Sequence, residues 1–267
     1  MEEIEMRVFI KTDMKGFPET ETCYTAWQGF TELGFTPIFF REEAELIGCR
    51  PDDLIVGGVS TINRRLKSYG IGVPEYDYPE ELGEYLGRRI WTDTLDNVLA
   101  KQNQWPLFIK PVRDKVFVGF VLRNEKDIPC LRQAKTDEPV LCSEVVSFRR
   151  EWRAFIRYGM IRDVRPYRGD WNCQYDPEVI EQAVRHYINA PAGYAMDFGV
   201  TENGKTLLVE VNDGFALSSY GLDPVQYAKL LSARWCELAG VKDECDVYFE
   251  GADWKNRRHE EKNKKET

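Results

Sequence analysis

The stretch Thr206-Leu207-Leu208-Val209-Glu210-Val211-Asn212 sets an acid and an amide into a run of apolar and β-branched residues. Side chains of a strand alternate, so Leu207, Val209 and Val211 share one face while Leu208, Glu210 and Asn212 share the other. Gly193–Thr201 (GYAMDFGVT) repeats the arrangement: Met196, Phe198 and Val200 face one way, and Asp197 faces the other with Ala195 and Gly199. Two like charges about 4 Å apart repel by roughly 4 kcal/mol at an effective dielectric of about 20. A hard divalent cation removes that penalty, and an oxygen set of Asp197, Glu210 and Asn212 suits Mg²⁺ or Mn²⁺. The bland alternative pairs these acids with Lys or Arg, or turns them to solvent at sheet edges.

Working back along the chain, Leu107–Pro111 (LFIKP) is a strand that carries Lys110 on the face of Phe108 and stops at Pro111. Lys115 and Gly119 follow across Val112–Val118, a short connection that reads as a flap. Lysines flanking a turn suit phosphate oxygens as point charges, although most such pairs are exposed lysines on a hairpin. Glu151-Trp152-Arg153-Ala154-Phe155 places Glu151 and Arg153 on one face, among the arginines 149, 150, 157, 162, 165 and 168. These read as an anion-binding cleft, or more plainly as solvated strand faces with surface ion pairs. No G-x-x-x-x-G-K-[ST] and no G-x-G-x-x-G occurs, which argues against a P-loop NTPase and a dinucleotide-binding site.

The 267 residues, 43% hydrophobic and 30% charged, are enough for a sizeable core in one large domain or several lobes. A net charge of −9 argues against broad nucleic-acid binding, and no apolar run reaches the length of a membrane span. Seven cysteines without a C-x-x-C pair fit reduced thiols, and with no basic, apolar leader at Met1–Lys11 the expected location is cytoplasmic. Two histidines, His186 in a helical stretch and His259 in a charged tail, argue against a Ser-His-Asp triad or a His-rich metal centre.

The first third alternates strand and helix: Arg7–Lys11, a helix from about Glu21 to Leu33, Thr36–Phe40, Asp53–Val56 before Gly57-Gly58, then a polar helix through Ser68. That order predicts a small parallel sheet. Val73–Pro79 reads as a connector. Beyond it the spacing predicts a helix over Thr94–Gln102, strands at Leu107–Pro111, Phe117–Leu122, Val140–Val146, Trp152–Tyr158 and Ile161–Pro166, and a helix over Pro177–Ala190. Strands Gly193–Thr201 and Thr206–Asn212 and a helix from Pro224 to Leu238 complete an α+β pattern.

In order the signals run Lys110-Pro111, Lys115, Ser143-Glu144-Val145-Val146, Glu151-x-Arg153, Asp197 and Glu210-x-Asn212. That succession resembles the ATP-grasp superfamily over Arg88 to Leu238. I-K-P-x-x-x-K-x-x-x-G, E-W-R-x-F and P-Y-R-G-x-W together resemble its clade named for one arginine and two lysines. The resemblance implies an ATP-grasp fold, two α+β lobes holding ATP between sheets, over residues 88–250. A small α/β lobe (1–87) would precede it and a charged tail (251–267) follow it.

The same resemblance implies that Lys110 holds the α- and β-phosphate region of ATP and Lys115 closes over the phosphates. Backbone groups of Ser143, Glu144, Val145 and Val146 would read the adenine edge. Glu151 would hold the ribose hydroxyls, Arg153 the γ-phosphate, and Asp197, Glu210 and Asn212 one or two Mg²⁺ ions. Arg165 and Arg168 would orient an anionic substrate. Asp213 and Gly214-Phe215-Ala216 depart from the usual continuation of the V-E-V-N strand, which implies a differently shaped acceptor pocket. The implied activity is an ATP-dependent carboxylate–amine (or carboxylate–thiol) ligase forming an acylphosphate, with small-molecule or peptide substrates. The rivals are a phosphotransferase and a nucleotide-binding protein without turnover. Cys142, beside the hinge, reads as an apolar filler.

Overall fold

The computed structural model describes residues 6–72, 78–112, 116–131, 134–135 and 137–246. Lys115, most of the connector before Tyr78 and the tail 251–267 lie outside the described residues. In chain order the elements are β1 (Val8–Lys11), α1 (Glu21–Glu32), β2 (Ile38–Phe40), β3 (Leu54–Val56), α2 (Val59–Ser68), β4 (Ile90–Thr94) and α3 (Leu95–Ala100). They continue with β5 (Leu107–Pro111), β6 (Phe120–Leu122), β7 (Pro139–Glu144), β8 (Phe148–Arg157) and β9 (Met160–Gly169). Last come α4 (Pro177–His186), β10 (Gly193–Thr201), β11 (Thr206–Asp213) and α5 (Pro224–Ala239).

The described residues divide into two compact units, the first made of residues 6–72, 191–194 and 213–246. Its sheet is parallel in the order β2-β1-β3, with Phe9 opposite Ile38 on one side and Ile55 on the other. Val8, Ile10, Leu54 and Ile55 are buried because a parallel sheet is covered on both faces. Helix α1 starts where Thr20 accepts the Cys23 N–H through its side chain. It packs on α5 at Gly29, where a Cβ would lie 1.9 Å from the Pro224 carbonyl oxygen, so only glycine admits the crossing. The sequence reading groups α5 with the later strands; its packing partner in this unit is α1.

Asp53, just before β3, is the buried anion of this unit. It accepts Arg7 Nε at 3.0 Å and Nη2 at 2.5 Å, the Arg50 N–H at 2.7 Å and Arg50 Nη2 at 3.2 Å. Burial pushes its carboxyl up, but Arg7 and the Arg50 N–H outweigh burial and hold it below the usual carboxylate range. A carboxyl depressed in the folded state stabilises above the unfolded pKa of about 3.9 and loses that stabilisation as pH falls through the folded value. Asp53→Ala should therefore cost about 2 kcal/mol at pH 7, with the deficit shrinking below about pH 4, as urea titrations at the two pH values will read.

The second unit comprises the described residues from 78 to 190 and from 195 to 212. It holds two four-stranded sheets, β4-β7-β5-β6 and β11-β10-β8-β9. The first sheet is antiparallel in its β4–β7, β5–β7 and β5–β6 pairs and carries a core of Leu95, Val98, Leu107, Ile109, Leu122, Val140 and Cys142. Strand β4 is absent from the sequence reading, because Ile90-Trp91-Thr92-Asp93-Thr94 is only half-buried and lacks a clean alternation. The predicted strand at Phe117 begins only at Phe120, and the one expected to reach Val146 ends at Glu144.

The second sheet is buried through β10, whose first eight residues are all inaccessible. Both faces of that strand are covered, so Asp197, 2% exposed, is largely cut off from bulk water and must find a partner inside. Helix α4 opens at the Asp176 cap, which accepts the Glu178 N–H at 3.0 Å, with Pro177 in its first turn. It ends at His186 rather than Ala190, and a 2.7 Å hydrogen bond joins His186 Nδ1 to the Tyr85 hydroxyl.

Candidate active site

A cavity of about 580 Å³ lies within the second unit. Phe108, Gly119, Phe120 and Val121 line it from the first sheet, and Val209 and Glu210 from β11. The run Ser143–Phe148 and the side chains of Tyr78, Arg88, Arg123, Glu151, Tyr167 and Arg168 complete the lining. Phe148 occupies its place because residue 199 is glycine: a Cβ there would lie 2.3 Å from the Phe148 ring.

Pairing of β7 stops at Glu144, whose N–H donates to the Arg89 carbonyl at 3.1 Å and whose Oε2 accepts the Arg89 N–H at 2.9 Å. Val145, Val146 and Ser147 follow with no backbone hydrogen bond among the described residues. An apolar slot backed by unpaired backbone donors and acceptors suits the edge of a heteroaromatic ring, because such groups otherwise waste their hydrogen bonds on water. Ser143 is buried, its hydroxyl donating to the Glu144 carbonyl at 2.8 Å.

Two charge couples adjoin this cavity. Arg153, 5% exposed, meets Asp197, 2% exposed, in a two-point pair: Nε to Oδ1 at 2.7 Å and Nη2 to Oδ2 at 2.8 Å. Asn212 Nδ2 donates to the same Oδ2 at 3.2 Å, which ties β11 to β10. Burial pushes the Asp197 carboxyl above its ordinary value against the pull of Arg153. Lys110 Nζ lies 3.4 Å from Glu210 Oε2, and 4.9 Å from the centre of the Tyr78 ring. The acids do pair with Lys and Arg, as the bland reading has it, and the paired cations are Lys110 and Arg153, two of the three singled out for phosphate.

Arg88 is a functional candidate the sequence reading passed over. Its Nε donates to Ser143 Oγ at 3.1 Å, and its Nη atoms donate to the carbonyls of Leu86, Leu208 and Val209 at 2.9, 2.7 and 2.7 Å. It thereby fastens β11, just before Glu210, to the end of β7. Burial lowers its affinity for a proton. Nothing in the pair Arg88-Arg89 marks which arginine turns inward. Tyr78 and Tyr167 were likewise passed over, although Tyr167 sits inside the P-Y-R-G stretch.

Glu151 is buried; Tyr167 Oη donates to its Oε2 at 2.7 Å and Arg168 Nη1 to its Oε1 at 3.2 Å. Arg168 thus lines the cavity. Arg165 forms an ion pair with Asp163, Nε to Oδ2 at 2.8 Å, outside that group. Asp213 belongs to the first unit, where Arg234 holds it through 2.8 and 2.6 Å hydrogen bonds. Cys142 is buried and its thiol is pushed up to about 11 by burial, as a filler requires.

Asp197, Glu210 and Asn212 are the candidate oxygen set for Mg²⁺, with the Asn212 amide nitrogen turned to Asp197. Glu210 and Asn212 share a face of β11, and Asn212 touches Asp197. No group of three or more His, Cys, Asp or Glu suited to a metal occurs among the described residues. Two carboxylates with an amide oxygen leave positions for water and phosphate, as Mg²⁺ prefers.

The model of an ATP-grasp domain, family 2 of the clade named for one arginine and two lysines, matches residues 85–230, more than half of the chain. The chain belongs to this ATP-grasp family. ATP-grasp ligases use ATP and Mg²⁺. The fold is also that of D-alanine–D-alanine ligase from Bacillus anthracis complexed with ATP: TM-score 0.53 at 16% identity, over 88% of this chain and 97% of that one. An N5-carboxyaminoimidazole synthetase from Staphylococcus aureus gives TM-score 0.54 at 11% identity, over 90% and 78% of the two chains. An L-amino acid ligase from Bacillus licheniformis gives 0.54 at 11%, over 92% and 78%. No curated protein sequence matches the chain. Among the described residues no helix is long and apolar enough to cross a membrane. The ATP-grasp match encloses every residue of the cavity except Tyr78.

Proposed function

We propose that the chain is an ATP- and Mg²⁺-dependent ligase that joins a carboxylate to an amine (or thiol) through an acylphosphate, releasing ADP and phosphate. The observation that carries this reading is the pairing of two candidate phosphate cations with candidate metal carboxylates, Lys110 with Glu210 and Arg153 with Asp197, beside a slot backed by unpaired peptide groups. Val145 and Val146 would meet the adenine edge with backbone groups, and Glu151 would accept from the ribose hydroxyls. Lys110 and Arg153 would exchange their carboxylate partners for phosphate oxygens. Asp197, Glu210 and Asn212 would then hold Mg²⁺, which supplies Lewis-acid neutralisation of phosphate charge. Lys115 would add a second lysine over the phosphates.

In the reaction a substrate carboxylate oxygen attacks the γ-phosphorus and ADP leaves. The amine then attacks the acyl carbon, phosphate departs and the nitrogen loses a proton. Positioning and charge stabilisation carry such a transfer, so it needs no histidine in the cluster. Arg168, on the rim of the cavity, and Arg165 would steer the anionic carboxylate substrate, a small molecule or a peptide.

The test is incubation of the purified protein with ATP, Mg²⁺ and pooled amino acids and short peptides, followed by mass spectrometry. ADP should appear together with a condensed product, and hydroxylamine should divert the acylphosphate to a hydroxamate. ADP formed with a phosphorylated product, and with neither condensate nor hydroxamate, would assign a phosphotransferase instead.

A further inference from the structure

Strands β8 and β9 lose register once beside the cavity. Glu151 lies opposite Arg168 but Trp152 lies opposite Pro166, so Tyr167 is the extra residue of a β-bulge. A bulge re-aims the inserted side chain and sharpens the local twist. Here it brings the Tyr167 hydroxyl to 2.7 Å from Glu151 Oε2 and its ring to 6.0 Å from the Arg153 guanidinium. In regular pairing this neighbour of Arg168 would alternate to the other face.

We propose that Tyr167 is the positioning residue of the nucleotide site: its hydroxyl holds the Glu151 carboxylate in the orientation that accepts from the ribose, and its ring backs Arg153. The inference rests on the ribose role given to Glu151 above. Both other ways of holding Glu151 are weaker. Arg168 reaches Oε1 with a side chain that is 76% exposed, so solvent screens that contact. Trp152, the next residue on β8, faces a separate apolar cluster with Cys173 and Val200. The phenol also remains a donor at every working pH, since burial, then Asp197 and Glu151, push its ionisation upward.

Calorimetric binding of Mg·ATP and of Mg·2′,3′-dideoxy-ATP to the full chain separates this from a merely structural role. The wild-type chain should prefer ATP by about ten-fold, the worth of a hydrogen bond to a charged acceptor. In Tyr167→Phe the preference should fall to about two-fold or less while dideoxy-ATP binds as before, because a freely rotating carboxylate no longer meets the hydroxyls. Glu151→Gln should erase the same preference, and the double variant should lose nothing more. Equal weakening toward both nucleotides, or a preference kept in Tyr167→Phe, overturns the proposal. A wild-type chain without any preference overturns the ribose role of Glu151 and the proposal with it. A chain that binds neither nucleotide removes the nucleotide site itself. Thermal melting of each variant confirms that the folded protein is compared.

Discussion

Asp197→Asn should yield a protein that is both less stable and inactive. The carboxylate lies in a covered strand and is the anion that neutralises Arg153, itself only 5% exposed. An amide of the same shape removes the negative charge that offsets the buried Arg153 guanidinium, at a cost of about 3 kcal/mol. Turnover with Mg·ATP should fall by about 10²–10³-fold, since one candidate metal oxygen and the orientation of Arg153 go together. Replacing both partners by apolar residues, Arg153→Met with Asp197→Leu, should return most of the stability and none of the turnover. Urea unfolding and ADP release measured on the three proteins check this. Unchanged turnover in the single variant would remove Asp197 from the reaction, and unchanged stability would refute the buried pair.

Glu210→Gln should separate the two effects. Its partner Lys110 is 17% exposed and Glu210 itself 33%, so the ion pair is partly screened and contributes at most about 1 kcal/mol to folding. The fold should therefore survive nearly unchanged. Turnover should fall by about 10²-fold or more, with half-maximal activity displaced to higher Mg²⁺, because one of only two carboxylates in the candidate set is lost. A Mg²⁺ titration of ADP release reads this directly. A variant with the parent's Mg²⁺ dependence would exclude Glu210 from the metal site. Two acids that look alike in sequence are thus expected to differ: one would support fold and chemistry, the other chemistry alone.

Much of the candidate site's layout is legible in residue order because strands convert spacing into faces. Glu210 and Asn212 are two apart and share a face; Glu151 and Arg153 do the same, and both candidate acids lie on neighbouring strands β10 and β11. The strand ends that shape the cavity are less legible. Val145 and Val146 are good β-formers, yet pairing stops at Glu144. Strand β4 escapes the pattern because its residues are half-buried against β7, a strand far along the chain that pairs Val140 with Asp93 and Ser143 with Ile90. Tyr167 escapes because a bulge breaks the alternation on which the reading of faces depends.

By itself the sequence determined which residue types stand at strand spacing, and hence the expectation that carboxylates, lysines and arginines rather than histidines or thiols would carry the chemistry. Local sterics and alternation are enough for that, since they act between neighbours in the chain. Only the tertiary structure decided which cation meets which acid. Arg153 and Asp197 are 44 positions apart and Lys110 and Glu210 are 100 apart, so no local rule couples them. Those pairings come from sheet order and burial: a charge carried inside by its strand must take whatever opposite charge the neighbouring strands bring within reach.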